Sequence, residues 1–198
     1  VVENVSFGTA TDYATVDPGP RQVTVVAAND SEQVLYDETL PIRPGTYTVA
    51  AGAASENETQ QLTPVILLDE AAEPDEEEAL VRLAHLAPDA PAVDVTVAET
   101  GDTLFEDVSF TNSSDYQPVP AGDYTLEVRP ADAEADAEPV ATVDVSLDNQ
   151  TAYTAFAVGY LDPDADQESF EVILEEDQLA EPTAENESEP TPDVPVES

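Results

Sequence analysis

The chain has 198 residues, and its 45 Asp and Glu against four basic residues give a formal net charge of −41. Such a charge repels nucleic acid and anionic membrane surfaces, so it excludes both as partners. The lack of Cys, the single His and the lack of any apolar run of ~18–20 residues exclude disulfides, thiolate or histidine metal clusters and direct membrane insertion of this segment.

Two parts of the chain repeat each other. A repeat indicates the architecture of a chain more firmly than local propensity does. The aligned pairs are Glu3–Gly19 with Glu106–Gly122 at an offset of 103, Thr46–Ala53 with Ala152–Gly159 at 106, and Pro64–Glu70 with Glu171–Asp177 at 107. The chain therefore contains two copies of one domain.

The repeat predicts four segments. Residues 1–70 form a partial first copy, because nothing in them corresponds to Ala79–Asp102, and we expect its first strands to lie upstream. Residues 71–79 form an acidic linker, and residues 80–177 form the complete second copy. Residues 178–198 are rich in Pro, Glu, Thr and Ser, which is typical of a disordered or extended stalk that leads to an anchor.

Strand signals dominate both copies. In the second copy, apolar residues alternate with polar ones over Ala92–Val97, Tyr124–Arg129 and Val143–Leu147. This alternation predicts strands with one buried and one solvent-exposed face. Turn sequences such as Asp17–Pro20 and Pro120–Asp123 separate the strands at short intervals. We therefore predict an all-β chain of two tandem antiparallel immunoglobulin-like β-sandwiches, the first without its N-terminal strands.

Three segments resemble a known family. Val81–Val97 (VRLAHLAPDAPAVDVTV), Ser114–Val128 (SDYQPVPAGDYTLEV) and Thr151–Gly159 (TAYTAFAVG) look like domain-of-unknown-function family 4397. The resemblance covers the second copy and the last two-thirds of the first. It implies secreted or surface-attached β-sandwich domains, often in tandem, with no assigned catalytic activity and no site residues to transfer.

The charge indicates the solvent in which the chain folds. Exposed charges interact over ~10 Å at 0.1 M salt but only ~3 Å at 1 M, so a compact fold with this surface is expected in molar salt. All four basic residues are Arg, and the acids are spread over the whole sequence. This pattern is typical of extremely halophilic archaea; the alternative is an acidic tail on an ordinary domain.

The asparagines carry the sharpest local signal. Each of the six begins an Asn-x-Ser/Thr acceptor sequence, although Ser and Thr fill only 29 of 198 positions. The predicted glycosylation sites are Asn4, Asn29, Asn57, Asn112, Asn149 and Asn186. Glycosylation requires export, so we expect an extracellular, cell-surface location. The alternative is that Ser and Thr simply crowd β-turns.

Two further features of the sequence are candidates for chemistry. A loop carries acidic residues at every second position, as the start of a calcium-binding EF-hand loop does: Asp162, Asp164, Asp166 and Glu168. The loop lacks the Gly that an EF-hand has at its sixth position. The alternative is therefore that these acids are simply solvated. His85 shares strand parity with apolar neighbours, so we expect a buried ring bonded to a carbonyl or to Asp89. No nucleophile or metal partner accompanies it, and we predict no enzyme and no cofactor apart from this calcium candidate.

These observations favour a structural or adhesive component of the haloarchaeal cell surface, such as a subunit of an extracellular filament or coat. The expected partners are other surface proteins or glycans, or a second copy through strand donation, which would supply the missing strands of the first copy. The alternative is a module that binds glycans or calcium through its loops.

Overall fold

A computed structural model describes residues 2–3, 5–28, 30–53, 62–133, 137–164 and 167–179, and these contain twelve strands and no helix. The strands of the first copy are β1 (Gly19–Ala27), β2 (Asp30–Ile42), β3 (Tyr47–Ala53) and β4 (Leu62–Leu68). Those of the second copy are β5 (Glu78–His85), β6 (Val93–Val97), β7 (Thr103–Val108), β8 (Gln117–Pro120), β9 (Gly122–Pro130), β10 (Ala141–Leu147), β11 (Ala152–Val158) and β12 (Glu171–Asp177). The prediction of an all-β chain is confirmed.

The second copy consists of two four-stranded sheets around one core. The first sheet has the order β12-β11-β5-β8, and the second has the order β10-β9-β6-β7. Alternate residues of both sheets point inward, including Val81 and Leu83 of β5, Val95 of β6 and Val128 of β9, and all four are buried. The period-two pattern read from the sequence therefore corresponds to the wall of a β-sandwich-like core.

One strand pair departs from the antiparallel prediction. Strand β5 runs parallel to β11, with Leu80 opposite Ala152 and His85 opposite Ala157. After β5 the chain crosses to the other sheet to form β6, and it returns to the first sheet only at β8 and β11. Because β5 and β11 are distant in sequence, no hairpin turn fixes their direction, and local patterns give no indication of it.

The first copy consists of two separate hairpins. Strand β1 pairs with β2 and β3 pairs with β4, each as a two-stranded antiparallel sheet. The repeat relates β1–β2 to β9–β10 and β3–β4 to β11–β12. In the second copy these hairpins are extended by β6 and β5, whereas no strand fills those positions in the described part of the first copy.

The β3–β4 hairpin packs on the outer surface of the β5 sheet. Val65 and Leu67 of β4 contact a cluster that contains Leu86 and Phe156 of the second copy. The two copies approach closely where Gly52 of β3 lies against Leu86, which follows β5, since a Cβ at position 52 would come within 3.0 Å of the Leu86 carbonyl oxygen. The two copies are thus joined by an apolar interface as well as by the chain between them.

The segment between the copies is partly buried. Ala71 and Pro74 are buried within the segment predicted as an acidic linker, and β5 begins at Glu78, so its first two residues belong to that segment. In the predicted stalk, residues 180–198 lie outside the described residues.

Candidate functional site

A buried charged cluster joins the two copies, and we call it the Arg82 centre: Arg82, Thr154, Asp177 and Tyr116 of the second copy and Asp69 of the first. Arg82 forms an ion pair with Asp69, donates from Nε to Thr154 Oγ1 at 2.7 Å, and lies 3.6 Å from Asp177. Its guanidinium carbon is 4.6 Å from the centroid of the Tyr116 ring. Arg82 and both carboxylates are buried, so these charges stabilise the structure only as a paired set.

Each carboxylate of the centre is held by its own tyrosine and threonine. Asp177 Oδ2 accepts from Tyr116 at 2.8 Å and from Thr154 at 2.5 Å. In the first copy, Asp69 Oδ2 accepts from both Tyr13 and Thr48 at 2.9 Å. The same Tyr-Thr-Asp arrangement therefore occurs twice, and the single Arg82 lies between the two.

The repeat explains this duplication once the register is corrected. Tyr47 pairs with Leu68 in β3–β4, and Tyr153 pairs with Glu176 in β11–β12, so the pairing relates Asp69 to Asp177 at an offset of 108. The ungapped alignment at 107 is wrong by one residue, because it matched similar letters rather than paired positions. That shift hid the shared aspartate.

Burial sets the electrostatics of the centre. Desolvation raises the pKa of Asp177, although hydrogen bonds from Thr154 and Tyr116 and the charge of Arg82 oppose the shift. Burial and the bond to Asp177 raise the pKa of the Tyr116 hydroxyl well above its ordinary value, so this group stays a donor. The centre therefore joins the copies through an ion pair and hydrogen bonds, in addition to their apolar contact.

Sequence reasoning did not identify Arg82 as a functional residue. Its strand parity places it opposite the core, where an arginine is normally solvated. Two features of the sequence could have indicated it: the chain has only four arginines, and this one lies between two apolar strand residues, Val81 and Leu83. The first copy covers the outer face of β5, and the residue pattern of β5 alone does not indicate this.

His85 occupies a structural position, as its parity predicted. The ring is fully buried, Nδ1 accepts from Ala87 N at 3.2 Å, and Nε2 lies 2.9 Å from the Pro91 carbonyl oxygen, to which it donates. Burial lowers the pKa of His85. The expected carbonyl bond is present, whereas Asp89 accepts instead from the backbone nitrogens of Leu161 and Asp162, both at 3.0 Å.

Two of the predicted glycosylation sites lie in described residues, and both are exposed. Asn112 lies in a turn where its carbonyl accepts from His85 N at 2.9 Å, and Asn149 lies in the turn between β10 and β11. The acceptor hydroxyls have structural bonds, since Ser114 Oγ accepts from Leu83 N and Thr151 Oγ1 donates to the Asn149 carbonyl. The sites Asn4, Asn29, Asn57 and Asn186 lie outside the described residues.

The acidic loop connects β11 to β12, as its sequence predicted. Asp162, Asp164 and Glu168 are exposed, and Asp166 lies outside the described residues. The Asp164 nitrogen donates to the Gln167 side chain at 2.8 Å, which turns the loop back on itself. Among the residues that the structure describes, no group of three or more His, Cys, Asp or Glu is arranged to hold a metal ion.

A shallow depression of about 340 Å³ lies on the second copy beside β9 and β10. Its lining combines carboxylates, hydroxyls and an aromatic ring, namely Glu99, Asp123, Tyr124, Thr125, Asp144, Val145 and Ser146. Tyr124 is held in place there, because its hydroxyl donates to the Pro120 carbonyl oxygen at 2.7 Å.

The comparisons with known proteins give a family. Residues 1–96 and 95–188 each match the model of the family described as "Domain of unknown function (DUF4397)". The boundary between the matches falls within β6, inside the two-sheet unit. A search of curated proteins found no match. Within the described residues, no helix has the length and apolar character needed to cross a membrane.

Proposed function

The chain belongs to the DUF4397 family in two tandem copies, and on that premise we propose that it is a non-catalytic structural or adhesive component of a haloarchaeal cell surface. In this role it acts as a glycosylated spacer or as a subunit of an extracellular filament or coat. The pair of four-stranded sheets supports an immunoglobulin-like arrangement for the second copy.

One observation carries the proposal. Asn112 and Asn149 both lie exposed at turns, where an attached glycan meets no core residue. The charged surface supports the same role, because carboxylates at this density suit a fold in molar salt. The buried polar groups support a structural module, since Arg82 and His85 are each fully engaged in bonds within the protein.

The test is glycopeptide mapping of protein purified from its native host, together with cell fractionation. We expect glycan mass on the peptides that contain Asn112 and Asn149, and protein in the surface fraction. The Asn149→Gln variant serves as the matched control, because it should remove one glycan and leave the other. Unmodified peptides from a cytoplasmic fraction would refute the proposal.

The second candidate is a module that binds a glycan or calcium. The depression beside Tyr124 favours a glycan, because its carboxylates and hydroxyls can form hydrogen bonds with the hydroxyls of a sugar. Calcium would be held by the acidic loop of Asp162, Asp164, Asp166 and Glu168. Titration at molar salt with a thermal-shift readout distinguishes this candidate, since a saturable shift supports binding and a flat response supports the structural role.

A further inference from the structure

Both acceptor sequences that the structure describes are attached to the same strand, β5. Asn112–Ser114 lies along the edge of β5 that also pairs with β8, near the end of the strand. Asn149–Thr151 lies just before β11, along the opposite edge and near the beginning of β5. Strand β5 is central in its sheet and largely buried, so the two sites flank an element that must be in place for the second copy to be folded.

At the first site, backbone bonds make the acceptor sequence part of the sheet. His85 N donates to the Asn112 carbonyl oxygen at 2.9 Å, and Ser114 N donates to the Leu83 carbonyl oxygen at 2.8 Å. Between them, Ser113 forms an antiparallel bridge with β5. Asn112 itself is exposed, but its backbone cannot leave the surface of the protein unless these bonds to β5 break.

The acceptor hydroxyl of the first site is also engaged. The Ser114 oxygen accepts from Leu83 N at 2.9 Å, and its proton is donated to the Asp115 carbonyl oxygen at 2.9 Å. A hydroxyl has only one proton to donate. The acceptor sequence requires Ser or Thr at its third position, so the enzyme that transfers the glycan must contact this hydroxyl. In the folded chain, that contact competes with the bonds that hold Ser114 on β5.

The second site is held by the other edge of the same strand. Gln150 N donates to the Glu78 carbonyl oxygen at 2.8 Å, and Leu80 N donates to the Thr151 carbonyl oxygen at 2.9 Å. Thr151 Oγ1 donates back to the Asn149 carbonyl oxygen at 3.2 Å. Gln150, the middle residue of this acceptor sequence, has a φ of 58°, which is uncommon for a residue other than Gly. The pairing with β5 therefore maintains an unusual backbone at this site.

The folded protein presents the two acceptor sequences in different backbone conformations. The middle residue of the first, Ser113, takes part in an antiparallel bridge, whereas the middle residue of the second, Gln150, is left-handed. An enzyme with one binding groove for the Asn-x-Ser/Thr pattern holds its substrates in one conformation. The two sites can offer the same conformation only when they are released from β5.

We propose that Asn112 and Asn149 receive their glycans before β5 takes its place in the sheet, so that glycosylation precedes the folding of the second copy. In the transfer, the side-chain amide nitrogen forms a bond to C1 of the glycan and loses one proton. The bond between C1 and the phosphate oxygen of a glycosyl-phosphate donor breaks, and the phosphate leaves with its electron pair. The inference concerns the order of events and rests on the glycosylation proposed above.

The folded structure is compatible with this order. Asn112 and Asn149 are both exposed, so glycans that are already attached can point into solvent while β5 pairs with the two acceptor sequences. The reverse order requires β5 to separate from its neighbours, and Leu83 and His85 are among the most deeply buried side chains of the second copy. Such an opening is rare in a stable element.

The experiment compares folded protein with short peptides as substrates. The unmodified chain is produced in a host that lacks glycosylation, and it is folded in 3 M NaCl. Synthetic peptides of residues 107–118 and 144–155 carry the same two acceptor sequences without β5. Membranes of the native host supply the transferring enzyme and its donor, and mass spectrometry follows the rate of modification. We expect transfer to both peptides and a rate at least roughly tenfold lower at both sites of the folded chain. Equal rates in peptides and folded chain would overturn the proposal.

The Ala98→Asn variant is the matched control, because it creates an acceptor sequence over residues 98–100 in the turn between β6 and β7. All three positions are exposed, and the backbone nitrogen of Ala98 donates to Thr125 of β9 rather than to β5. In the folded variant, transfer at position 98 should be within about threefold of transfer to a peptide of residues 93–104 with the same substitution. If position 98 is also slowed tenfold, the folded chain as a whole excludes the enzyme, and attachment to β5 is not the cause.

The peptides also distinguish failure of this inference from failure of the proposed function. If the order is wrong, the peptides are modified and the folded chain is modified equally fast. If neither natural peptide is modified, the glycosylation itself is rejected, and this inference with it.

Discussion

Replacement of Arg82 by Met should strongly destabilise the fold. The substitution keeps an unbranched apolar stem but removes the ion pair with Asp69 and the donors to Thr154 and to the Leu68 carbonyl oxygen at 3.0 Å. It leaves Asp69 at 2% exposure and Asp177 at 6% without a cation. Removal of one partner from a buried ion pair typically costs about 3–5 kcal/mol, and we expect a loss of that size.

The assay is urea unfolding in 3 M NaCl, followed by circular dichroism, because urea leaves the ionic strength unchanged. The matched control is Arg21→Met, which removes an exposed pair with Asp17 at 3.6 Å and should cost under about 1 kcal/mol. The Arg82→Met/Asp69→Asn double variant should recover part of the loss. If Arg82→Met costs no more than Arg21→Met, the buried centre is not the contact that joins the copies.

Three more predictions follow from the same packing and charges. The Gly52→Ala variant should cost about 1–3 kcal/mol in urea unfolding, because its Cβ meets Leu86, whereas Ala51→Ser on the exposed face of β3 should cost almost nothing. Burial raises the pKa of folded Asp177 above the ordinary value of 3.8, so the folded state binds the proton more tightly than the unfolded state does. The free energy of unfolding of the wild type should therefore increase relative to that of Asp177→Asn as the pH falls through the raised pKa towards 3.8. A difference in unfolding free energy that does not change with pH would contradict this. When NaCl is lowered from 3 M to 0.05 M, repulsion between the exposed carboxylates should increase, and the circular dichroism spectrum should lose its strand signal. An unchanged spectrum would contradict the prediction that the fold requires molar salt.

Alternation predicted the strands well because it records which side of a sheet is buried. The segments read as strands at Ala92–Val97, Tyr124–Arg129 and Val143–Leu147 correspond to β6, β9 and β10 with ends shifted by at most two residues. The repeat likewise predicted the tandem organisation, which the family matches confirm.

The sequence did not reveal the features that depend on distant contacts. Nothing local to β5 shows that it runs parallel to β11, or that its outer face is covered by β3 and β4. Local patterns therefore do not single out Arg82. The relation between Asp69 and Asp177 was also hidden, because a one-residue error in alignment exchanges the two faces of a strand.

The central claim is that, within the residues that the structure describes, the second copy forms a two-sheet domain around its own core, whereas the first copy forms two separate hairpins, one of which packs on the second copy. Hydrogen exchange of the full chain in 3 M NaCl, measured by mass spectrometry, tests this directly because amide protection reports local stability. We predict slow exchange in β5, β9 and β11, and much faster exchange in β1 and along the edge of β3 that no described strand pairs with. Equal protection of both copies would contradict the account.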